Sequence, residues 1–330
     1  MRSMLAAAAL LVALPAPAPA PAQETPEQFA ALREVDMRLA GIAWRLATAN
    51  RALCRDLAPV PGIAIHAIDQ YDPKLRAGLP AIFGFEAPVA VEGVVPNSAA
   101  ARAGVRPNEG ISAVGGQALA ISPAGRAQAS SATRDAAAAV IARQPADAPL
   151  ALTLVQGGRT RTVTVPPSPG CRSRFEVLVG PGLSASADGD IVQIGVRFFE
   201  RFDDDMIAVV VAHEFAHNIL KHRERLDAAG VKRGLLSEFG RNGRLFRQTE
   251  NQADLLGMHL LRNAGWDPAL AVRFWREHGG EVDGGLFRSR THPSSKARGD
   301  AVAAEIAAIP AGSALPYLPP VLAERDRPLN

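Results

Sequence analysis

The stretch Ile207 to Leu220, IAVVVAHEFAHNIL, constrains this chain more than any other. It is uncharged but for its His-Glu-Phe-Ala-His core and long enough for a buried helix. Asp203, Asp204 and Asp205 ahead of it supply an N-cap and negative charge at the positive end of the helix. Residues four apart on a helix share one face, roughly 6 Å apart along the axis. The imidazoles of His213 and His217 can therefore reach one metal ion. Glu214, next to the first of them, is placed to take a proton from water activated there without binding the ion itself. Two imidazoles do not complete a catalytic zinc site, which needs a third protein ligand and one open position. Further along, Glu250-Asn251-Gln252-Ala253-Asp254 opens a second apolar helical run, ADLLGMHLL. Glu250 supplies the third ligand. Asp254, one turn on and on the same face, is placed to accept the ring N–H of a ligating His. His66, His222, His259 and His278 receive no role; on a continuing helix His222 points about 140° away from His217.

A length of 330 residues favours two folded units over one. With 48% apolar residues the chain is not disordered throughout. A net charge of +3 without any block of basic residues makes nucleic acid a poor partner. Residues 1–22 have the layout of a secretory signal: Arg2, an apolar run from Met4 to Leu14 too short to span a bilayer, then small residues with Pro. Cleavage is expected after Ala22, because earlier Ala-Pro-Ala sites would leave Pro in the first mature position. A periplasmic or secreted location follows, without a transmembrane span and compatible with peripheral association with the envelope. In such an oxidising compartment Cys54 and Cys171, the two cysteines of the chain, are a disulfide candidate.

Residues 26–57 repeat apolar positions at helical spacing, and Pro59 and Pro61 end that pattern. From Gly78 to Pro166 the texture changes to short apolar runs cut by Gly and Pro. PVAVEGVVP reads as a strand, NSAAARAGV as a short helix, GISAVGGQAL as a strand and hairpin, Thr133 to Arg143 as a helix, and PLALTLVQ with RTRTVTVP as a second hairpin. The run VVPNSAAARAGVRPNEGISAVGGQAL resembles a PDZ domain. That resemblance implies that an extended peptide is added beside a sheet edge, its carboxylate held by an apolar-Gly-apolar loop, for which Phe83-Gly84-Phe85 is the candidate. Asn108-Glu109-Gly110 and the long stretch Ile121 to Ser131 depart from the family pattern, which leaves open a spacer that binds nothing tightly.

The HExxH and ExxAD motifs, with Thr291-His292-Pro293-Ser294 beyond them, resemble the zinc metallopeptidase family that includes the HtpX heat-shock protease, the CAAX prenyl proteases and the periplasmic BepA and LoiP proteins. The resemblance covers about Asp203 to Arg298. It implies one zinc ion per chain, with His292 capping the metal or stabilising the oxyanion, and Arg298 at a basic position of the same motif with an oxyanion role. It also implies a small sheet against the active helix, with Asp190 to Val196 as the edge that aligns substrate. Arg223 to Thr249, punctuated by glycine, is either a lid or a surface helical hairpin.

The expected fold is α+β. A mainly helical, gluzincin-type metalloprotease domain with a small sheet at 171–310 follows a PDZ-like β-sandwich or barrel at 78–168. Residues 23–77 form a helical arm and linker, and 311–330 a Pro-rich tail. The expected function is hydrolysis of peptide bonds in unfolded or envelope proteins, with the PDZ unit positioning peptide C-termini. The alternative is a latent protease that acts mainly as a PDZ-based peptide-binding chaperone or adaptor.

Overall fold

The computed structural model describes residues 26–231, 240–282 and 294–330, and its fold is α+β. Helix α1, Pro26–Ala49, is followed by a short 3-10 turn and by strand β1, Leu57–Pro59. Next come β2 (Ile63–Ala67), α2 (Leu79–Phe83), β3 (Val89–Val94), α3 (Ala99–Arg102), β4 (Gly110–Val114), β5 (Gln117–Ala118), α4 (Ala124–Ala127) and α5 (Ala132–Ala142). The hairpin of β6 (Leu150–Gln156) and β7 (Arg159–Val165) leads to β8 (Pro169–Cys171), β9 (Arg174–Leu178), β10 (Ala185–Ala187) and β11 (Ile191–Gly195). The remaining elements are helical: α6 (Val196–Arg201), α7 (Asp204–Ile219), α8 (His222–Ala228), α9 (Gly240–Asn263), α10 (Ala269–Glu277), α11 (Gly279–Val282) and α12 (Ser295–Ala308), with a 3-10 segment at Pro320–Asp326.

The larger sheet has the order β2-β3-β4-β6-β7, with β5 paired to β4. Strand β6 shows why it forms: Leu150, Leu152 and Leu154 are buried while the residues between them are more open, the period of two that a half-buried strand requires. These leucines meet Val163 and Val165 of β7 and Val140 and Ile141 of α5 in one core. Gly157 and Gly158 make the β6–β7 turn with φ of 59° and 69°, as a two-residue hairpin of this hand demands. Both glycine N–H groups donate to the Glu86 carboxylate, at 2.7 and 2.8 Å.

The sheet begins earlier than the sequence suggested. Strand β2, from the stretch expected to be a linker, pairs antiparallel with β3, so the boundary at residue 78 moves upstream. With Ile63, Ala64 and Ile65 all half-buried, β2 lacks the clean alternation that marks β6.

The second sheet is small, ordered β10-β11-β9, with β11 parallel to β9 and antiparallel to β10. The segment Asp190 to Val196, expected to be an edge, therefore contains the central strand. Among the described residues β10 has no second strand partner, and it packs against α7; its sequence Ala-Ser-Ala carries no strand signal of its own.

Helix α1 ends at Ala49, and the residues expected to prolong it form the 3-10 turn and β1, which pairs with β8. Buried Leu39, Ile42 and Leu46 place α1 in the core of the helical unit. Phe29, near its start, packs in a separate cluster beside the larger sheet. The arm therefore belongs to both units. A disulfide joins Cys54 to Cys171, with the two Cα atoms 5.5 Å apart, and links the end of the arm to β8. The Pro-rich C-terminal residues are docked as well. Leu322 and Leu329 are buried, the Tyr317 N–H donates to Asn263 Oδ1 at 2.8 Å, and Arg325 donates to the Leu53 carbonyl at 2.7 Å.

Candidate metal centre

Helix α7 is built as its sequence requires. Asp203 caps it by accepting the Met206 N–H at 2.9 Å, and every residue from Met206 to His213 is buried. Its partner is α9. Where the two helices touch stands Gly257, at which a Cβ would lie 3.1 Å from His213 N and 3.2 Å from His213 Cα. The missing side chain lets the two helices approach until Glu250 of α9 faces both histidines of α7.

The donor atoms converge. His213 Nε2 and His217 Nε2 are 3.2 Å apart, Glu250 Oε2 is 3.3 Å from the first and Glu250 Oε1 3.5 Å from the second. One ligand atom from each of the three residues falls within 4.8 Å of the others. Both Nδ1 atoms are engaged elsewhere, His213 with Asp254 Oδ1 at 3.0 Å and His217 with His222 Nδ1 at 2.9 Å. Both Nε2 atoms therefore point at the gap beside a carboxylate. Two imidazoles and a carboxylate facing one small gap suit a borderline-soft divalent cation, and this N2O donor set fits zinc.

The electrostatics agree with that gap. Burial opposes charge on His213, but its hydrogen bonds to Asp254 and Glu250 prevail and hold its pKa up at about 10. Burial takes His217 down to about 4. Burial also raises Glu214 to about 7, partly offset by the charge of His213. Glu214 lines a cavity of about 660 Å³ together with His213, His217, Glu250 and, across from them, Ser184 to Ala187, in and before β10. Its carboxyl therefore titrates close to neutrality at the wall of an open site.

Arg298, from α12, stands behind His213. Its Nε and Nη2 each lie 2.7 Å from an oxygen of Asp254, its guanidinium stacks on Trp275 at 3.4 Å, and it is only 2% exposed. Both arms of the fork go to the carboxylate behind His213. Arg298 thus holds Asp254, whose pKa it keeps low against the pull of burial. Its Nη2 also lies 3.6 Å from Glu250 Oε2, and Arg298 lines the same cavity. His292 lies outside the described residues.

The other expected sites separate. Phe83 and Phe85 are buried in an aromatic cluster with Phe29, His66 and Tyr71, and Gly84 caps α2 within it. They present no loop to a ligand, because α1 covers them. His66 in the same cluster is driven down to about 3 by burial. The described parts of Arg223 to Thr249 are largely helical, and Leu226, Phe246 and Thr249 line the cavity.

Sequence reasoning missed His222. Helix α7 stops at Ile219, and Lys221 adopts the left-handed conformation at φ 53°. The chain turns back there, and His222 returns to His217. The change from an apolar run to Lys221-His222-Arg223-Glu224-Arg225 was the one local sign of that break.

No protein-family model matches the chain. The chain is similar to the mitochondrial metalloendopeptidase OMA1 of Schizosaccharomyces pombe, at 30% identity over 116 residues, which is 29% of this chain and 34% of that protein. The match spans about a third of that relative's length. It supports a metallopeptidase reading for this chain and agrees with the His-His-Glu triad as a metal site.

Proposed function

We propose that this chain is an exported zinc metalloendopeptidase of the HtpX and BepA type that hydrolyses peptide bonds of unfolded or envelope proteins. The observation that carries the reading is the convergence of His213, His217 and Glu250 on one gap, with Glu214 at the wall of the same cavity. The partial likeness to a metalloendopeptidase supports it.

Zinc held by these three residues supplies Lewis acidity to a carbonyl oxygen and to water. The protein's own groups do the rest. Glu214, with a pKa near 7, takes the proton of the attacking water and returns it to the leaving amine, a transfer that works best when the carrier titrates near the working pH. Asp254 and Arg298 hold the His213 ring in one orientation. Strand β10 pairs with β11 alone among the described residues, and its free edge borders the cavity, so an extended substrate can add to it as a strand. His292 is assigned the capping or oxyanion-stabilising role.

The larger sheet serves as a PDZ-like peptide-positioning unit, with its groove relocated from Phe83-Gly84-Phe85. Strand β2 is the end strand of the sheet, and α5 lies beside it. Residues of both line a cavity of about 830 Å³ with Arg174 to Val177 of β9 opposite. Ion pairs from Arg134 to Glu176 at 2.7 Å and from Arg174 to Asp135 at 3.3 Å link α5 to β9 across it. Residues in and before β2, from Val60 to Ile65, are the proposed peptide contacts. Among the described residues no helix is long and apolar enough to cross a membrane.

The test is cleavage of an unfolded substrate such as casein. The Glu214→Gln protein is expected to lose activity by about 10²- to 10⁴-fold, the usual worth of a positioned acid–base group. Cleavage at the wild-type rate would sink the mechanism. Activity is also expected to vanish with a chelator and return with zinc.

A further inference from the structure

We infer that His222, Gln252 and Glu324 form a one-way hydrogen-bond relay that orients the metal ligand His217 and ties it to the C-terminal segment. The inference rests on the reading of His213, His217 and Glu250 as metal ligands.

The roles of the atoms follow from one another. His217 turns Nε2 toward Glu250 and His213, so its Nδ1 carries the proton and donates to His222 Nδ1 at 2.9 Å. A His222 that accepts at Nδ1 must carry its own proton on Nε2, and that atom lies 3.1 Å from Gln252 Oε1. The same oxygen accepts from Arg225 Nη1 at 2.9 Å, which fixes the amide with its oxygen toward His222. Gln252 Nε2 then donates to Glu324 Oε2 at 3.4 Å. Arg225 is itself held by the Arg327 carbonyl at 3.0 Å. Every step runs in one direction, from the ligand outward to a carboxylate on the 3-10 segment Pro320–Asp326.

The relay is buried where it matters. His222 is 1% exposed. A neutral imidazole is what the relay needs, since a charged His222 would have no lone pair for His217. The left-handed turn at Lys221 brings the ring into place, and α9 supplies Gln252 two residues beyond the ligand Glu250. One helix thus contributes a ligand to the metal and an orienting group to the opposite ligand. The two histidines are therefore oriented differently: His213 by a carboxylate clamped by Arg298, His217 by a neutral ring whose outer contacts lie on the C-terminal segment.

His222 acts as a positioning residue, so its test reads the metal rather than turnover alone. Zinc affinity is measured by chelator competition, and the visible spectrum is recorded with cobalt in place of zinc, on the full chain. His222→Ala is expected to weaken zinc binding about 10- to 100-fold, as loss of an orienting partner does, and to change the cobalt spectrum. His222→Asn keeps an acceptor near the Nδ1 position and is expected to restore most of the affinity. His222→Gln, whose amide reaches instead toward the Nε2 position, is not. A residue that merely filled space would not separate Asn from Gln. Glu324→Ala, at the far end and in contact with no ligand, is expected to weaken zinc roughly threefold, the worth of one modest hydrogen bond. It carries the decision if His222 variants fail to fold. Wild-type zinc affinity and an unchanged cobalt spectrum in folded His222→Ala, or in Glu324→Ala where that variant decides, would overturn the relay. If the wild-type protein itself retains no zinc, the ligand assignment falls first and the relay with it.

Discussion

Among the described residues, two buried polar clusters meet the cost of burial in opposite ways. At the candidate metal centre the groups behind the two histidines have partners of opposite role: Asp254 accepts from Arg298 and His213, and His222 accepts from His217. At the junction of the two units, Asp36 of α1 and Glu92 of β3 share a hydrogen bond. The nearby cations are engaged elsewhere, Arg33 with Asn108 and Arg134 with Asp135 and Glu176. Burial pushes both pKa values up, and at Glu92 the charge of Asp36 adds to the rise. The first cluster has a place for a cation. The second has one carboxylate too many, and a proton must fill the deficit.

The contrast can be broken from the metal side with the largest effect. Asp254→Ala removes the acceptor of His213 and leaves the buried Arg298 cation without the carboxylate that takes both arms of its fork. Zinc affinity is expected to fall about 10- to 100-fold and stability by roughly 3–5 kcal/mol, read by chelator competition and by denaturant unfolding. An unaffected protein would mean that the clamp is idle.

On the junction side the covalent tie comes next. Replacing Cys54 and Cys171 by Ala, which opens a loop with a sequence separation of 117, is expected to cost about 2–5 kcal/mol. The zinc affinity of the folded fraction should not change, since the bond touches no ligand.

Gly257→Ala sharpens the comparison by loading the metal centre sterically. The new methyl meets the backbone of His213, so destabilisation of roughly 1–3 kcal/mol is expected, along with weaker zinc binding. A stable variant with wild-type affinity would show that α7 can yield.

The smallest effect is the pH signature of the junction. Because the folded-state pKa values of Asp36 and Glu92 are raised, their contribution to stability is fully present below the unfolded values of 3.8 and 4.5. It is lost as the pH rises through the folded values. Glu92→Gln stays neutral throughout. It is therefore expected to melt higher relative to wild type at pH 8 than at pH 5, by about 2–4 °C for each 1 kcal/mol relieved. Equal differences at both pH values would remove the contrast between the two clusters.

Much of the helical unit is legible in the amino-acid sequence. The interval of four between His213 and His217 works on any helix, and Glu250 and Asp254 repeat it. The same holds for β6, whose alternating leucines announce a strand. The strands that went unread are those with weak local patterns: β2, with three half-buried residues in succession, and β10, a strand of Ala, Ser and Ala that owes its place to β11. Phe83-Gly84-Phe85 misled for the opposite reason. Its composition suits a binding loop, but Phe29 of α1 and His66 of β2 close over it.

The sequence by itself determined which residues share a helix face and which strands alternate, because periodicity acts over a few residues and needs no knowledge of the rest of the chain. From that came the helix-borne candidate ligands and the α+β class, while the resemblance to zinc metallopeptidases rested on the HExxH and ExxAD motifs. Only the tertiary structure decided which edge of the small sheet borders the cavity, that Arg298 grips Asp254, and that the chain reverses at Lys221 to bring His222 beneath His217. Each of those depends on contacts between residues far apart in the chain or on a reversal that packing imposes. Such contacts are selected by the packing of whole elements, to which a short stretch of sequence contributes only one side.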